Sequence, residues 1–349
     1  MGTAATFAVG IDVSKDTLDA CLVGPDGRAR RKGFANRPQG FVALAAWADR
    51  YADGAAIHFC LEATGPYSDG IATHLADAGR LVSVANPAQV RAYARACGQG
   101  NKTDPADARV IADFCRDRHP RAWVPPSPAV RRVRALTRRR DDLRRMAAAE
   151  KTRLAAPDLT PDARQSLRRV IRFLAREADR VQAEAEAVIA AEPRLAAGGA
   201  LLASVKGIGR QTATTVLAEL PPVDQLPRAQ SAAAYAGLAP REFRSGTSVR
   251  KRTRLSKTGN ARLRTALYLP TLAAIRSNPV IRRFYDRLVG RGKPRMQAVG
   301  ACMRKLLMIC YGVLKGGRPF DPGYSRVRPA DGGSPGRPPS AGRTPISAP

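Results

Sequence analysis

The order of the apolar segments in the first quarter of the chain restricts the fold more than any other feature of the sequence. Apolar and other side chains alternate over residues 6–23 on both sides of a short turn, which predicts a β-hairpin. The next elements are predicted to alternate between strand and helix: a strand at Arg30–Phe34, a helix at Pro38–Tyr51, a strand at Ile57–Leu61, a helix from the turn Thr64-Gly65-Pro66 to about Ala78, and a strand at Leu81–Val84. Asn86-Pro87 is then predicted to stop the chain from continuing this last strand. Three consecutive strands followed by helix and strand in alternation indicate an α/β unit with a mixed sheet.

Two acidic residues lie at the ends of these predicted strands. Asp12 is near the end of the first strand, and Glu62 ends the buried strand Ile57–Leu61. Burying a charge costs several kcal/mol unless the charge is paired or bound to a metal. A carboxylate on a strand that otherwise belongs to the core is therefore a candidate functional residue.

The segment Lys102–Asp113 adds two more carboxylates. Asp104 and Asp107 are three residues apart at a predicted helix start, so both side chains project from one face. Two interpretations remain open at this point. Asp104 can be the N-cap with Pro105 at the first helical position, which requires no chemistry. Alternatively, two oxygen ligands one turn apart can hold Mg²⁺ beside a phosphate.

The four carboxylates together predict a metal site. If Asp12, Glu62, Asp104 and Asp107 converge on one end of the sheet, they repel one another unless divalent cations neutralise them. This arrangement favours a two-metal site for in-line phosphoryl chemistry.

Positive charge is concentrated outside the first unit. The chain has 59 Lys and Arg against 29 Asp and Glu, but residues 1–115 hold 12 of each. Residues 116–153 hold 13 basic against 4 acidic side chains, and residues 240–320 hold 20 against 2. Such blocks predict a polyanionic partner, of which nucleic acid is the most common. A coding bias towards arginine does not explain the balanced first 115 residues.

Cysteine and hydropathy patterns place further limits on the class of protein. The six cysteines form no C-x-x-C pair, and the three histidines do not cluster with them, which argues against a zinc site and favours reduced thiols. The longest apolar run, Leu306–Leu314, is too short to span a bilayer. We therefore expect a cytoplasmic protein without a membrane partner.

The middle of the chain predicts two long helices. The first is rich in arginine and ends before Pro157, and the second covers Pro161–Glu192 with apolar residues at helical spacing. The short loop between them predicts an antiparallel pair. The pair can be a coiled-coil arm for oligomerisation or a hairpin that packs within one chain.

Two later segments are candidates for contact with nucleic acid. Lys206, Gly207 and Gly209 lie between two helical segments, as in a helix-hairpin-helix, whose turn presents N–H groups to a phosphate; a glycine turn that serves packing alone is the alternative. Further on, Ser245-Gly246 lies in a predicted basic loop between helices over Ser231–Ala236 and Ala261–Ala274. The basic residues of this region are Arg241, Arg244, Arg250, Lys251, Arg252, Arg254, Lys257 and Arg262.

Serine is a weak nucleophile unless a base, a metal or a phosphate held by cations activates it. Because no histidine lies in this part of the chain, a Ser-His-Asp arrangement is excluded there. The remaining local means of promoting attack by serine is a set of arginines that bind the scissile phosphate and stabilise its charge. A solvated basic loop that contacts nucleic-acid backbone is the competing interpretation.

The motifs GIDVSKDTLDACLV, LEATGPY and NKTDPADARVIA resemble those of the RuvC-like DEDD domain in one group of bacterial insertion-sequence transposases. This group includes the Piv/MooV-type DNA invertases and the bridge-RNA-guided recombinases. The resemblance implies an RNase H-like fold that binds Mg²⁺ through Asp12, Glu62, Asp104 and Asp107. It covers residues 6–320.

The resemblance extends to the second chemical candidate. Ser245-Gly246 and the segment Leu255–Arg264 are similar to the Ser-Gly motif and the following S-K-x-G-N-x-x-L-R motif of this family. The resemblance implies that Ser245 is the recombinase nucleophile, with Ser248 and Ser256 as rivals. It also implies DNA as substrate, a structured guide RNA encoded by the element, and a homo-oligomer, either dimer or tetramer.

The sequence thus predicts four segments: an RNase H-like DEDD domain (1–122), a helical coiled-coil arm (123–197), a mainly α-helical domain that carries the serine (198–320) and a disordered tail (321–349). The predicted function is that of a DNA transposase. A metal-dependent nuclease of the Holliday-junction type and a non-catalytic nucleic-acid-binding protein are the alternatives.

Overall fold

The computed structural model describes residues 7–63, 65–98, 104–245 and 249–323. The chain forms two compact units, Met1–Ser127 and Pro128–Pro349. The boundary lies a few residues after the predicted one, at the start of the first long helix, so that this helix belongs to the second unit.

The first unit is a five-stranded mixed sheet with helices on both faces. Its strands are β1 (Phe7–Val13), β2 (Thr17–Val23), β3 (Ala29–Ala35), β4 (Ile57–Glu62) and β5 (Leu81–Ala85), and its helices are α1 (Pro38–Ala52), α2 (Pro66–Asp77), α3 (Pro87–Ala96) and α4 (Asp104–Arg118). The strand order is β3-β2-β1-β4-β5. β1 pairs antiparallel with β2 and parallel with β4. The predicted α/β unit with a mixed sheet is confirmed.

The stop predicted at Asn86-Pro87 is confirmed, since β5 ends at Ala85, but the same residues have a second role that was not predicted. Asn86-Pro87 does not only end a strand but begins α3, because the Asn86 side chain accepts a hydrogen bond from the Ala88 N–H and proline suits the first helical position. The same dipeptide therefore stops β5 and starts a helix.

The two faces of the sheet bury different sets of side chains. Val9, Ile11 and Phe59 pack on one face together with Leu44 of α1 and Leu75 of α2. On the other face, Ala8 and Cys60 pack against α4. Because side chains alternate along a strand, every second residue of β1 and β4 faces α4.

The second unit is helical apart from one β-ribbon. Its helices are α5 (Pro128–Leu154), α6 (Pro161–Ala191), α7 (Pro193–Ala203), α8 (Arg210–Glu219), α9 (Ala229–Tyr235), α10 (Ala261–Ala266), α11 (Tyr268–Ser277), α12 (Pro279–Gly290) and α13 (Arg295–Gly316). Strands β6 (Pro240–Ser245) and β7 (Val249–Leu255) form the ribbon. The expected helical C-terminal region is confirmed.

The helices α5 and α6 form an antiparallel helical hairpin within the chain. Leu143 and Ala147 of α5 pack against Leu174, Ala178 and Val181 of α6. The in-chain alternative therefore accounts for the apolar stripe of both helices, while the oligomerisation arm stays a prediction.

The long helix α13 is the centre of the second core. It is long and apolar enough to cross a membrane, yet 56% of its most apolar stretch is buried inside the protein. It packs against α9, α11 and α12, and its residues Cys302, Leu306 and Cys310 are buried in the core of this unit. The apolar composition is that of a core helix.

Two predictions in the second unit were wrong in detail. The predicted basic loop around Ser245 is the antiparallel ribbon β6–β7, whose residues 246–248 lie outside the described part. The helix predicted over Ala261–Ala274 is interrupted at Leu267, where α10 ends and α11 begins.

Candidate active site

The structure places two of the predicted acids side by side. β1 and β4 are parallel, and the register that pairs Ile11 with Leu61 puts Asp12 and Glu62 one residue further along each strand. Both residues are half-buried. An oxygen of Asp12 accepts a hydrogen bond of 3.0 Å from the Val13 N–H. Since Gly10 and Cys60 face α4, Asp12 and Glu62, two residues later, face the same side.

Gly10 fixes the distance between the sheet and α4. A Cβ at this position would lie 2.2 Å from the carbonyl oxygen of Ala108 and 2.3 Å from the amide nitrogen of Ala112. Both are backbone atoms, so a side chain cannot be accommodated unless the helix moves. Glycine therefore lets the α4 backbone pack directly on β1.

The direction of α4 brings its first turn to the acidic end of the sheet. Cys115, near the end of α4, donates a hydrogen bond to the carbonyl oxygen of His58, at the start of β4. Ala108, one turn into α4, contacts Gly10 in the middle of β1. The helix thus runs opposite to both strands, and its N-terminal turn extends towards Asp12 and Glu62.

That first turn carries the other two predicted acids. Asp107 is half-buried at the sheet-facing end of the helix, and the side chain of Asp104 lies outside the described residues. A helix N-terminus also stabilises negative charge nearby. The elements that carry the four acids thus meet where β1 and β4 end. Metal binding by the four acids stays a prediction. Among the side chains that the structure describes, no three of His, Cys, Asp and Glu form a cluster that could hold a metal ion.

A fifth carboxylate, which was not predicted from the sequence, lies next to Asp12. Asp19 of β2 is the direct cross-strand partner of Asp12 and is half-buried. Its neighbours Leu18 and Ala20 belong to the opposite core, so Asp19 faces α4. The signal was present in the alternation of β2, where Asp19 interrupts an otherwise apolar strand.

The predicted nucleophile lies at the tip of the β6–β7 ribbon. Ser245 is the last residue of β6 and pairs with Val249, and the residues between them, Ser248 included, lie outside the described part. The register sets Arg241 opposite Arg254. Arg244 likewise stands opposite Arg250 along the backbone, although the side chains of residues 242–253, Lys251 and Arg252 included, are not described.

Like charges directly opposite one another destabilise a β-ribbon. Arg241 and Arg254 form such a pair by backbone register. Arg254 is exposed to solvent, as is Arg241. A phosphate is the anion that arginine binds with two parallel hydrogen bonds.

Family models match both halves of this arrangement. Residues 9–157 match the DEDD model of IS110 elements, described as a transposase, and residues 199–286 match the model described as transposase IS116/IS110/IS902 family. The chain belongs to this family of transposases. It is a DNA recombinase, and the resemblance to insertion-sequence transposases is confirmed at the level of the family.

Known relatives agree with this assignment. The transposase is 32% identical over 315 residues to the pilin gene-inverting proteins of Moraxella lacunata and Moraxella bovis, which covers 90% of this chain and 97% of each relative. It is 31% identical over 137 residues to an uncharacterized 43.6 kDa protein of insertion element IS110 from Streptomyces coelicolor. That match covers 39% of the transposase and 33% of the relative.

The glycines of the predicted helix-hairpin-helix have two different roles in the transposase. Gly207 has a φ of +102°, and a Cβ there would lie 2.6 Å from the Cβ of Ala274 in α11. It is a packing glycine, held in place by a hydrogen bond from Asn278 to the Lys206 carbonyl. Gly209, by contrast, has open space around it and begins α8 without a side-chain cap.

The Ser-Lys-Thr-Gly-Asn motif is largely a structural anchor. Asn260 caps α10 by accepting from the Leu263 N–H, and its amide donates to Glu219 at 2.8 Å. Gly259 lies so close to the Tyr235 carbonyl that a Cβ would come within 2.3 Å. Lys257 is exposed and Arg262 is half-buried, so these two can still reach a ligand.

Glu219 joins this anchor to the helical hairpin. Its side chain is 2% exposed and accepts hydrogen bonds from Arg138 of α5 and from Asn260. Burial by itself would raise the pKa of Glu219, but these hydrogen bonds outweigh it and hold the pKa below its ordinary value. Glu219 is thus a buried carboxylate that stays ionised.

Proposed function

We propose that the transposase cuts and rejoins DNA with a metal-assisted acidic site on the first unit and a serine nucleophile on the second. The observation that supports the first half is the adjacent position of Asp12 and Glu62 on the sheet face that α4 covers, with Asp107 in the first turn of α4. The strand order β3-β2-β1-β4-β5 fits the expected RNase H-like sheet.

The carboxylates suit magnesium chemically. Asp12, Glu62, Asp104 and Asp107 would supply hard oxygen ligands of the kind that Mg²⁺ prefers, and their mutual repulsion calls for a counter-charge. Bound there, the ion would offset the negative charge that develops on a phosphate during strand transfer. The chain's own contribution is to hold the acids in place through the close contact of Gly10 with α4.

The serine step keeps the phosphodiester bond energy within the protein–DNA complex. The Ser245 oxygen forms a bond to phosphorus and loses its proton, while the bond from phosphorus to one deoxyribose oxygen breaks and that oxygen takes up a proton. Rejoining reverses the step with a deoxyribose hydroxyl from another strand. The opposed arginines of the ribbon would bind the phosphate and stabilise its charge.

The partners follow from the family and from charge. The pilin gene-inverting relatives are invertases by name, so the substrate includes DNA segments that are cut and rejoined. We further propose that an element-encoded RNA pairs with the DNA, so that base pairing supplies sequence specificity, and that the enzyme acts as a homo-oligomer. The excess of 20 basic over 2 acidic residues in 240–320 suits a duplex of either kind.

Two substitutions test the proposal. Ser245→Ala removes the nucleophile and should abolish both recombination and the covalent protein–DNA adduct. Asp12→Asn keeps the shape of the side chain, removes its charge and should also stop recombination. A matched control is Ser14→Ala, a hydroxyl in the β1–β2 turn that bonds only to Thr17 in the described structure.

The nuclease alternative predicts a different result for Ser245→Ala. A metal-dependent nuclease would still cut DNA after Ser245→Ala, without a trapped adduct. An adduct that persists in Ser245→Ala but disappears in Ser248→Ala or Ser256→Ala would reassign the nucleophile to that rival serine.

A further inference from the structure

An array of arginines follows the outer surface of α6. Arg168, Arg172 and Arg176 succeed one another at intervals of four residues, with Arg169 beside them, and all four side chains are exposed. Residues four apart lie on the same side of a helix, displaced by about 6 Å along its axis. The four residues therefore form a cationic stripe about 12 Å long, here called the arginine stripe.

These arginines differ from three exposed arginines of the helical hairpin that have carboxylate partners. Arg180 pairs with Glu177 and Glu184, Arg145 with Asp142, and Arg153 with Glu150. None of the ion pairs in the described part of the chain includes a residue of the arginine stripe. Like charges at i and i+4 lower the stability of a helix by a few tenths of a kcal/mol each. Such an arrangement indicates a surface whose counter-charge comes from a partner.

The partner that fits is duplex DNA. One strand of B-DNA carries a phosphate about every 3.4 Å along the helix axis, so a stripe of this length faces about three phosphates. Arginine is the residue best suited to bind them, because its planar guanidinium donates two parallel hydrogen bonds to a phosphate. DNA is also the substrate of the family to which the chain belongs.

We propose that the arginine stripe binds the phosphate backbone of the duplex DNA substrate. The contact holds the DNA along the helical hairpin and carries no sequence information. It deepens the proposed function and rests on it only in taking DNA as the partner. The arginine stripe belongs neither to the ribbon nor to the group of acids at the ends of β1 and β4, because α6 contributes to neither.

The rival partner is another protein. Phe173 is 57% exposed and lies four residues from Arg169, so an apolar contact between copies of the chain could use the same side of α6. The two partners differ in their response to salt. A DNA backbone contact releases counterions, and the logarithm of the affinity falls linearly with the logarithm of the salt concentration, by about 0.9 per phosphate neutralised.

The test compares two triple variants of the full-length chain. R168Q/R172Q/R176Q removes three charges of the arginine stripe, and R145Q/R153Q/R180Q removes three charges that already have carboxylate partners. Both variants lie on the same hairpin and change the net charge equally, and glutamine is as good a helix former as arginine. Binding to a duplex of arbitrary sequence is measured by fluorescence anisotropy between about 50 and 200 mM salt.

We expect the salt slope of the stripe variant to fall by about 2 to 3 and that of the control by less than about 1. Equal slopes in the two variants would overturn the proposal, as would a change in duplex RNA binding alone. A change of oligomeric mass in the stripe variant with an unaltered slope would assign Phe173 and the stripe to a protein contact. The salt slope reports binding and not strand cleavage, so failure of the catalytic proposal and failure of this one are distinguishable.

Discussion

The contact between Gly10 and α4 offers the sharpest test of how the fold positions the acids. In Gly10→Ala, the new methyl group would overlap the backbone of α4. Without movement of the helix, it would lie 2.2 Å from the carbonyl oxygen of Ala108 and 2.3 Å from the amide nitrogen of Ala112. An ordinary van der Waals contact needs about 3.5 Å. The helix α4 must therefore move outward by roughly 1 Å, because neither neighbour is a flexible side chain.

The displacement has two measurable consequences. Overpacking of this kind costs about 1–3 kcal/mol of the free energy of unfolding. Asp107 moves with α4 away from Asp12 on the sheet, and a misplacement of about 1 Å at a reacting centre can reduce the rate about 100-fold. We expect Gly10→Ala to lose stability modestly and recombination activity strongly.

The assay is urea unfolding followed by tryptophan fluorescence, paired with a recombination assay. Both tryptophans of the chain, Trp47 and Trp123, lie in the first unit and pack on its core, so their emission reports this unit alone. The control is Gly33→Ala on β3, the edge strand of the same sheet, where the new Cβ would meet only an oxygen of Asp19 at 3.7 Å.

The control should keep its stability within about 1 kcal/mol, because alanine also restricts the unfolded chain. If Gly10→Ala unfolds at the same urea concentration as Gly33→Ala and retains activity, the close approach of α4 does not position the acids. If it loses stability and keeps full activity, Asp107 has no role in the reaction.

Three further predictions concern single side chains. Asp19→Asn should lower recombination activity about 10-fold or more without changing the unfolding midpoint, because it changes the charge next to Asp12. Gly207→Ala should destabilise the second unit by about 1–3 kcal/mol in thermal unfolding, through its φ of +102° and the overlap with Ala274. Because the folded-state pKa of Glu219 is lowered, its contribution to stability is present above the ordinary carboxyl pKa and disappears as the pH falls through the folded value. Glu219→Gln should remove this part of the pH dependence in circular dichroism.

The strands β1, β2 and β4 were predictable because each has one face of buried apolar side chains. The alternation in β1 and β2 and the apolar run of β4 gave the sheet its strands, and the position of Asp12 and Glu62 at strand ends followed directly. Parallel pairing of β1 with β4 then sets the two acids side by side, which a strand count alone cannot show.

The elements that were missed depend on tertiary contacts. The ribbon β6–β7 lacks an apolar alternation, since most of its residues are basic or polar, and its pairing is visible only as backbone register. Asp19 was missed because its role depends on which residue lies opposite it. Asn260 looked like part of a catalytic motif, although its described contacts are a helix cap and a buried carboxylate.

The division of charge between the units fits the different roles that the proposed function gives them. The carboxylates of the first unit repel a phosphodiester, and the net charge of residues 1–115 is zero, so this unit offers DNA little attraction of its own. In the proposed function, the ribbon and the arginine stripe of the second unit would supply the attraction for the DNA backbone. The acids of the first unit would supply the chemistry. Weakening the cations of the second unit should raise the DNA concentration needed for half-maximal activity before it lowers the rate at saturation.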